Sequence, residues 1–273
     1  MIPEAILMAI LIIVFVADFI SSKKDERKWF NPLVCLLMLV PVIYGFCPHT
    51  SKTLSAFGGM YVSTAAVNVM KTILSAGTLI VLIQSKKWLS RKDTCFKEGE
   101  FYMLVVSTLL GMNVMMSAGH FLMFFLGLEM ASVPMSCLVS LYKYRHNSAE
   151  AAAKFILTAT FSSGVMLYGI SFIYAVAGTL YFNDVAIALS NTDNITMTIM
   201  GLVFFFSGLG FKISLVPFHF WTADTYQGAP TTVTGYLSVI SKGAAAFTLM
   251  TILMKVFAPL SAYWMHILYV VIV

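Results

Sequence analysis

Three ionisable side chains stand inside long apolar stretches of the sequence. Glu129, Lys212 and Lys242 are each surrounded by hydrocarbon-like residues. A charged residue at the centre of a membrane helix costs about 2.5–3.5 kcal/mol on insertion scales, so such residues are expected to face one another or water and to serve transport. Burial favours the neutral forms of an acid and an amine, whereas their proximity favours the charged forms. An acid and an amine balanced in this way can pass protons.

The stretch after Lys212 contains a helix break at Pro217, followed by His219. Proline removes a backbone donor and displaces the preceding turn, and such breaks occur in membranes where a helix lines a hydrated cavity. Histidine is the residue type whose ordinary titration lies near neutrality, so His219 is a candidate member of the relay. A plain kink and a packing histidine are the structural alternatives.

Two other lysines lie in apolar stretches. Lys154 is near the start of its stretch and is a candidate relay residue, with snorkelling of its amine to the membrane surface as the alternative. Lys71 is expected to snorkel or pack rather than to act. Asp224, beyond the break, is expected to cap the turn or to pair near the surface.

Polar side chains accompany the charges at helical spacing, which predicts two polar helix faces. Hydroxyls can hold the ordered water that a proton path needs, or they can simply join helices in the membrane. The two faces comprise Glu129, Ser132, Ser136, Ser140 and Lys143 on one helix, and Thr231, Thr234, Ser238 and Lys242 on another.

The composition indicates that these residues belong to a membrane protein. The chain is 59% hydrophobic and only 11% charged, whereas a soluble domain has about 25% charged residues. We predict an all-α polytopic protein with about eight transmembrane helices, a partial ninth and a broken seventh. The predicted spans are 2–20, 29–46, 61–84, 101–117, 121–142, 149–176, 196 to the break at 217, 231–255 and the partial stretch 264–273.

The distribution of basic residues predicts the orientation. Loops after the first, third and fifth spans are rich in Lys and Arg, whereas Lys52 is the only Lys or Arg in the loops after the second, fourth and sixth. The positive-inside rule then places the N-terminus outside. The formal charge of +5 is thus explained by the membrane, and no nucleic-acid partner is expected.

No resident cofactor or metal is expected in this chain. Its four cysteines are scattered without C-x-x-C spacing, which argues against iron–sulfur or structural zinc ligation. Neither a dinucleotide fingerprint nor a P-loop occurs in the sequence.

Three segments resemble the subunit N family of bacterial NADH-quinone oxidoreductase, respiratory complex I: GLEMASVP (127–134), SAEAAAKFILTATFSSGVMLYGISFIYAVAGT (148–179) and FKISLVPFHFWTADTYQGAPTTVTGYLSVISKGAAAF (211–247). The resemblance implies an antiporter-like, proton-translocating subunit of the membrane arm. It implies that NADH, flavin, iron–sulfur clusters and quinone are bound by partner subunits, so that this chain is a translocase subunit without redox chemistry of its own. It also implies a bacterial inner-membrane location.

The resemblance assigns roles to individual residues. Glu129 matches the family's glutamate on helix five, and Lys154, Lys212 and Lys242 match its lysines on helices six, seven and eight. Glu129 and Lys212 would form a switching ion pair, and Lys242 would be the central relay.

The domain prediction follows from the same resemblance. Residues 1–98 form an N-terminal three-helix segment, 99–255 the first antiporter-like five-helix repeat, and 256–273 the start of a further helix that is cut short. The family's second repeat is expected to be absent. Two alternatives stay open: a cation/proton antiporter subunit, and a membrane scaffold without transport activity.

Overall fold

The computed structural model describes residues 1–21, 29–47, 53–90, 97–142, 145–192 and 194–272. Helices dominate these ranges. They are α1 (Ile2–Ser21), α2 (Phe30–Phe46), α3 (Ala65–Leu89), α4 (Glu98–Met116), α5 (Phe121–Val139), α6 (His146–Ala177), α7 (Phe182–Ser190), α8 (Ile195–Ile213), α9 (Phe220–Gly228), α10 (Thr231–Tyr236), α11 (Lys242–Lys255) and α12 (Ser261–Ile272).

The described part of the chain contains seven helical stretches that are long and apolar enough to cross a membrane. They are α1, α3, α4, α5, α6, α8 and the run Thr231–Lys255, while Phe30–Phe46 and Ala258–Val271 are shorter apolar helices. The 17 residues of α2 extend about 25 Å, at the lower limit for a bilayer span. The predicted helical, multi-span membrane fold is confirmed.

A small antiparallel hairpin precedes α3, where the sequence analysis predicted a loop and the start of the third span. Its strands are β1 (Leu54–Ala56) and β2 (Tyr61–Ser63). The hairpin is joined to the turn between α4 and α5, because Val62 N–H donates to the carbonyl of Ser117 at 2.7 Å. The predicted start of the third span at residue 61 is therefore wrong, and the helix begins at Ala65.

Helix α7 was also missed. The sequence analysis treated residues 178–195 as a loop, yet Phe182–Ser190 is a short helix that buries Phe182, Val185 and Leu189. Many basic residues behind the orientation prediction lie outside the described residues: Lys23, Lys24, Arg27, Lys28, Lys52, Arg91, Lys92 and Lys143.

The packing places α4 at the centre, and α4 is the most buried of the seven candidate spans. It packs most closely on α5, and α6 packs equally closely on α8. Gly127 allows the first of these approaches, because a Cβ at that position would collide with the backbone of Met115. The two helix pairs place α5 and α8, which carry Glu129 and Lys212, in the same interior.

The predicted break in the seventh span is present. Helix α8 ends at Ile213, Ser214 adopts a left-handed backbone conformation (φ 66°), and α9 begins only at Phe220. The break lies directly after Lys212, so this lysine occupies the last turn of a helix that ends inside the apolar region.

The span after the break is interrupted as well, which the sequence did not predict. Residues Leu237–Ser241 form a π-helical segment between α10 and α11. Such segments are rare and frequently mark functional sites. Lys242 is the first residue after it.

Candidate functional site

Lys212 is the buried centre of the site. Its exposed fraction is only 5%, and its ammonium nitrogen donates a hydrogen bond to the Ser132 hydroxyl at 2.7 Å. The same nitrogen lies 5.8 Å from the centroid of the Phe155 ring. The break and the helix pairing thus bring an amine from α8 to a hydroxyl on α5 and an aromatic face on α6.

A small internal cavity lies beside this amine. Its volume is about 10 Å³, and it is lined in part by Ser132, Ser162, Ser163 and Lys212. A cavity of this size holds about one water molecule. The hydroxyl of Ser162 already donates to the Gly208 carbonyl at 2.8 Å, so it can accept a hydrogen bond from a water molecule there but has no proton left to donate.

Glu129 lies on α5 one turn before Ser132 and is partly buried. It makes no ion pair with Lys212 within 4.0 Å among the described residues. It lies one helical turn from Ser132, the residue that Lys212 contacts. The structure therefore brings the acid and the amine into one region, with the Ser132 hydroxyl as the group that Lys212 contacts.

Side chains beyond the break replace the hydrogen bonds that the helix loses. The indole N–H of Trp221 donates to the Phe211 carbonyl at 3.0 Å, and the Thr222 hydroxyl donates to that of Ser214 at 2.7 Å. Carbonyl groups freed inside a membrane need such partners. Trp221, only 5% exposed, fixes α9 to the end of α8.

A chain of aromatic contacts links the surroundings of Lys212 and Lys242. The Trp221 ring centroid lies 5.1 Å from that of Phe155 and 6.4 Å from that of Tyr226. Lys242 places its ammonium nitrogen 5.1 Å from the Tyr226 centroid. The two lysines thus lie at opposite ends of a Phe155–Trp221–Tyr226 cluster, which we name the aromatic barrier.

Lys242 is partly buried. In the described ranges it has neither an ion pair nor a hydrogen bond, and its charge is met by the Tyr226 ring alone. A cation held only by an aromatic face is open to new partners, which suits a residue that exchanges a proton.

Lys154 lies in a different environment. Its side chain is 45% exposed and contacts Asp224 at 2.6 Å and Glu150 at 2.8 Å. Asp224 pairs near the surface, as the sequence predicted, and this pair joins α6 to α9. A role for Lys154 in the relay stays a prediction.

His219 is exposed, and its ring stacks on Phe220 with 4.6 Å between centroids. His219 is not among the rings of the aromatic barrier that link Lys212 and Lys242. The break thus places the candidate histidine outside the buried site, and its role in the relay stays a prediction.

Only one hydroxyl of the two predicted polar faces bonds to a buried lysine, namely Ser132. Ser136, Ser140 and Ser238 donate to carbonyls of their own helices. Thr234 donates to the Tyr226 carbonyl at 3.2 Å. Thr234 therefore joins two helices, as the structural alternative had it, whereas the three serines bond within their own helices. Lys143 lies outside the described residues.

A buried ion pair was not predicted from the sequence. Lys71, expected to snorkel or pack, is 2% exposed and forms an ion pair with Glu4 of α1. The Tyr61 hydroxyl bonds to both groups, at 2.9 Å to Glu4 and 3.1 Å to Lys71. One sequence signal could have found it: both charges lie within two turns of a helix start, on spans predicted to begin on the same side.

The described residues contain no group of three or more His, Cys, Asp or Glu that could hold a metal ion. The amines, carboxylates and hydroxyls of the site can exchange protons with one another and with water. Buried ionisable groups beside a broken helix in a multi-span bundle are typical of membrane transport proteins.

The comparisons with known proteins give the family. Residues 118–273, more than half of the chain, match the family described as NADH:quinone oxidoreductase/Mrp antiporter, transmembrane. The chain belongs to this family.

Curated relatives agree with the predicted resemblance. The chain is 56% identical over 270 residues to NADH-quinone oxidoreductase subunit N of Phocaeicola vulgatus, covering 99% of this chain and 56% of the relative. It is 46% identical to subunit N of Azobacteroides pseudotrichonymphae, covering 97% and 54%. The resemblance to subunit N is confirmed, and the chain spans about half the length of the curated relatives it matches.

Solved structures share the fold. A chain of respiratory complex I from Thermus thermophilus with bound aureothin aligns with a TM-score of 0.71 at 27% identity, over 91% of this chain and 52% of that one. A chain of the Mrp complex from Dietzia aligns with a TM-score of 0.80 at 20% identity, over 96% and 51%. The second likeness shows the fold alone.

Proposed function

We propose that this chain is a proton-translocating membrane subunit of an NADH-quinone oxidoreductase, with Lys212 and Lys242 as its proton-exchanging residues. The observation that carries the proposal is the environment of Lys212. This amine is 5% exposed and contacts a neutral hydroxyl. Glu129, the acid predicted to pair with it, is beyond ion-pair distance. Family membership and the identity to subunit N support the same conclusion.

The first step is control of the proton on Lys212. Two unit charges roughly 6 Å apart interact by about 3 kcal/mol at an effective dielectric constant of about 20. A small shift of Glu129 towards or away from Lys212 therefore changes how firmly the amine holds its proton. Moving one charge across about 100 mV costs about 2.3 kcal/mol, so the interaction has the magnitude that pumping needs.

The second step is transfer to Lys242. The aromatic barrier has no side chain that can carry a proton from Phe155 to Trp221, so water must enter between the rings. We infer that Trp221, which fixes α9 to α8, opens this route when the broken helix moves. Proton transfer then becomes dependent on conformation, which prevents a continuous leak.

The partners follow from the relatives. NADH, flavin, iron–sulfur clusters and quinone would be bound by other subunits, and this chain would contact other membrane-arm subunits within the lipid bilayer. We place it in the bacterial inner membrane with its N-terminus outside, as the basic loops predict. Lys154, Glu150 and Asp224 would then lie towards the cytoplasm.

The test is the substitution Lys242→Ala in the full-length chain within the assembled complex. Proton uptake into membrane vesicles per NADH oxidised should fall more than tenfold, because the acceptor of the second step is lost. Lys255→Ala is the matched control, since Lys255 is an exposed lysine on the same helix. It should pump normally.

Normal pumping by Lys242→Ala in an assembled complex would contradict the proposal. Sodium-driven transport that persists without NADH would instead favour the cation/proton antiporter. Absence of any transport in the wild-type assembly would favour the scaffold.

A further inference from the structure

The buried Glu4–Lys71 ion pair lies outside the proposed relay. Glu4 of α1 is 8% exposed, and Lys71 of α3 is 2% exposed. The two helices are linked through the hairpin. The Tyr61 hydroxyl donates to Glu4 at 2.9 Å and accepts from Lys71 at 3.1 Å. Three groups that can hold or pass a proton are thus in mutual contact, and we name them the N-terminal triad.

The state of Tyr61 suits proton transfer. Burial, together with the charge of Glu4, raises the pKa of Tyr61, so that its hydroxyl stays protonated. A hydroxyl that donates to one group and accepts from another can pass a proton by reorientation. The N-terminal ammonium of Met1 donates to the Tyr61 hydroxyl at 2.9 Å and lies 3.4 Å from the Glu4 carboxylate. Met1 is exposed, so the triad lies close to the protein surface.

Buried hydroxyls continue from the triad along α3. Lys71, Ser75 and Thr78 are spaced by four and three residues, which places them on one helix face. Ser75 is 3% and Thr78 0% exposed. The distance from Lys71 to Thr78 along the helix is about 10 Å, which two or three water molecules can bridge.

The hydroxyl face reaches the helix of the proposed relay. Thr78 lies beside the phenol of Tyr236, which also bonds to Thr108 at 2.9 Å. Tyr236 is the last residue of α10, immediately before the π-helical segment. Gly77 of α3 packs so closely on Ile240 of that segment that a Cβ would overlap it.

We propose that the N-terminal triad is a second proton-exchanging site, connected through Ser75, Thr78 and Tyr236 to the helix that carries Lys242. The inference rests on the proposed function. The triad gives protons from the helix that carries Lys242 a path to the side of the membrane where α1 begins. Water molecules complete the path between the hydroxyls.

The proton balance is as follows. With Glu4 ionised and Lys71 protonated, the pair is compensated. When a proton arrives along the hydroxyl face, Lys71 passes its own proton to Glu4 and takes up the arriving one. Glu4 is then neutral, and Lys71 and the N-terminal ammonium of Met1 are charged without their partner. An uncompensated buried charge is unfavourable, so one proton leaves to water near Met1 and the ion pair forms again.

The competing explanation is that the triad is a structural clamp, which only holds α1 and α3 together. Removing the charges distinguishes this explanation from proton exchange. Glu4→Gln or Lys71→Met alone leaves a buried polar or charged group without its partner. The double variant removes both buried charges and leaves an amide at position 4 beside the Tyr61 hydroxyl as a hydrogen-bond partner. A clamp made of charges becomes dispensable when both charges are removed. Lys87→Met, at an exposed lysine of the same helix, is the matched control.

The measurement is proton uptake per NADH oxidised in membrane vesicles that contain the assembled complex. The double variant Glu4→Gln/Lys71→Met should assemble and pump at most one third of the wild-type ratio, and Lys87→Met should pump normally. Full pumping by the double variant would overturn the inference.

Tyr61→Phe provides an independent test that keeps both charges in place. It should lower the ratio at least twofold, and an unchanged ratio would overturn the inference even if the double variant failed to assemble. Lys242→Ala is measured in parallel. If it abolishes pumping while the triad variants pump normally, the proposed function stands and only this inference fails; if it pumps normally, the proposed function itself fails.

Discussion

Lys154 and Lys212 are the same residue type on helices that pack against each other, yet they lie in opposite environments. Lys154 is 45% exposed and contacts two carboxylates. Lys212 is 5% exposed and contacts one hydroxyl. Two neighbouring acids and water hold the charge of Lys154, whereas the charge of Lys212 depends on a single hydrogen bond and on an acid beyond contact distance.

The difference shows what a proton-exchanging lysine needs. An amine between two carboxylates stays charged through any small movement, because removing its proton would leave two acids uncompensated. An amine in an apolar interior responds to small changes in distance, since charges interact more strongly there than in water. We therefore expect the buried site to control transport and the exposed one to join α6 to α9.

The sharpest test of this comparison is a matched pair of substitutions, Lys212→Met and Lys154→Met, in the assembled complex. Methionine fills a similar volume without a charge. The first should lower proton uptake per NADH more than tenfold, because the buried titratable group is lost, and the second less than twofold. Equal losses would show that burial does not distinguish the two lysines.

A smaller effect is expected from Ser132→Ala, which removes the hydroxyl that Lys212 contacts. A hydrogen bond to a charged group contributes about 1.5–3 kcal/mol, but a water molecule in the adjacent cavity can replace part of it. Proton uptake should fall about three- to tenfold. Ser136→Ala is the control, because Ser136 bonds only to its own helix, and a similar loss there would contradict a specific role for Ser132.

The smallest effect is expected from Asp224→Asn. Lys154 keeps Glu150 as a partner at 2.8 Å, and exposed ion pairs contribute little to stability and are screened by salt. Proton uptake should change less than twofold, and the thermal midpoint of the assembled complex should change little. A tenfold loss would show that Lys154 and Asp224 belong to the proton path, and it would contradict the contrast between Lys154 and Lys212.

Most of the fold could be predicted from hydropathy. Residues 231–255 were predicted as one span and form one apolar run, and the break after Lys212 follows from Pro217. The features that were missed are short or paired through distant contacts. Helix α7 and the hairpin contain too few residues to give a periodic signal, and the π-helical segment has the composition of an ordinary helix.

The candidate site was predicted in part. The interior position of Lys212 and the polar face that carries Ser132 were predicted, whereas the contact between the two residues was not. The exposure of Lys154 and His219, and the aromatic barrier, depend on which helix face meets a neighbour. Lys71 and Glu4 are 67 residues apart in sequence, so no local pattern joins them.

The sequence alone determined that this chain lies in a membrane, where its helices run and where one of them breaks, because those properties come from local hydrophobicity and from proline. The tertiary structure decided which charges are buried, which are paired and which are separated by aromatic rings. A side chain's environment is set by the helices packed against it, and those neighbours come from distant parts of the chain.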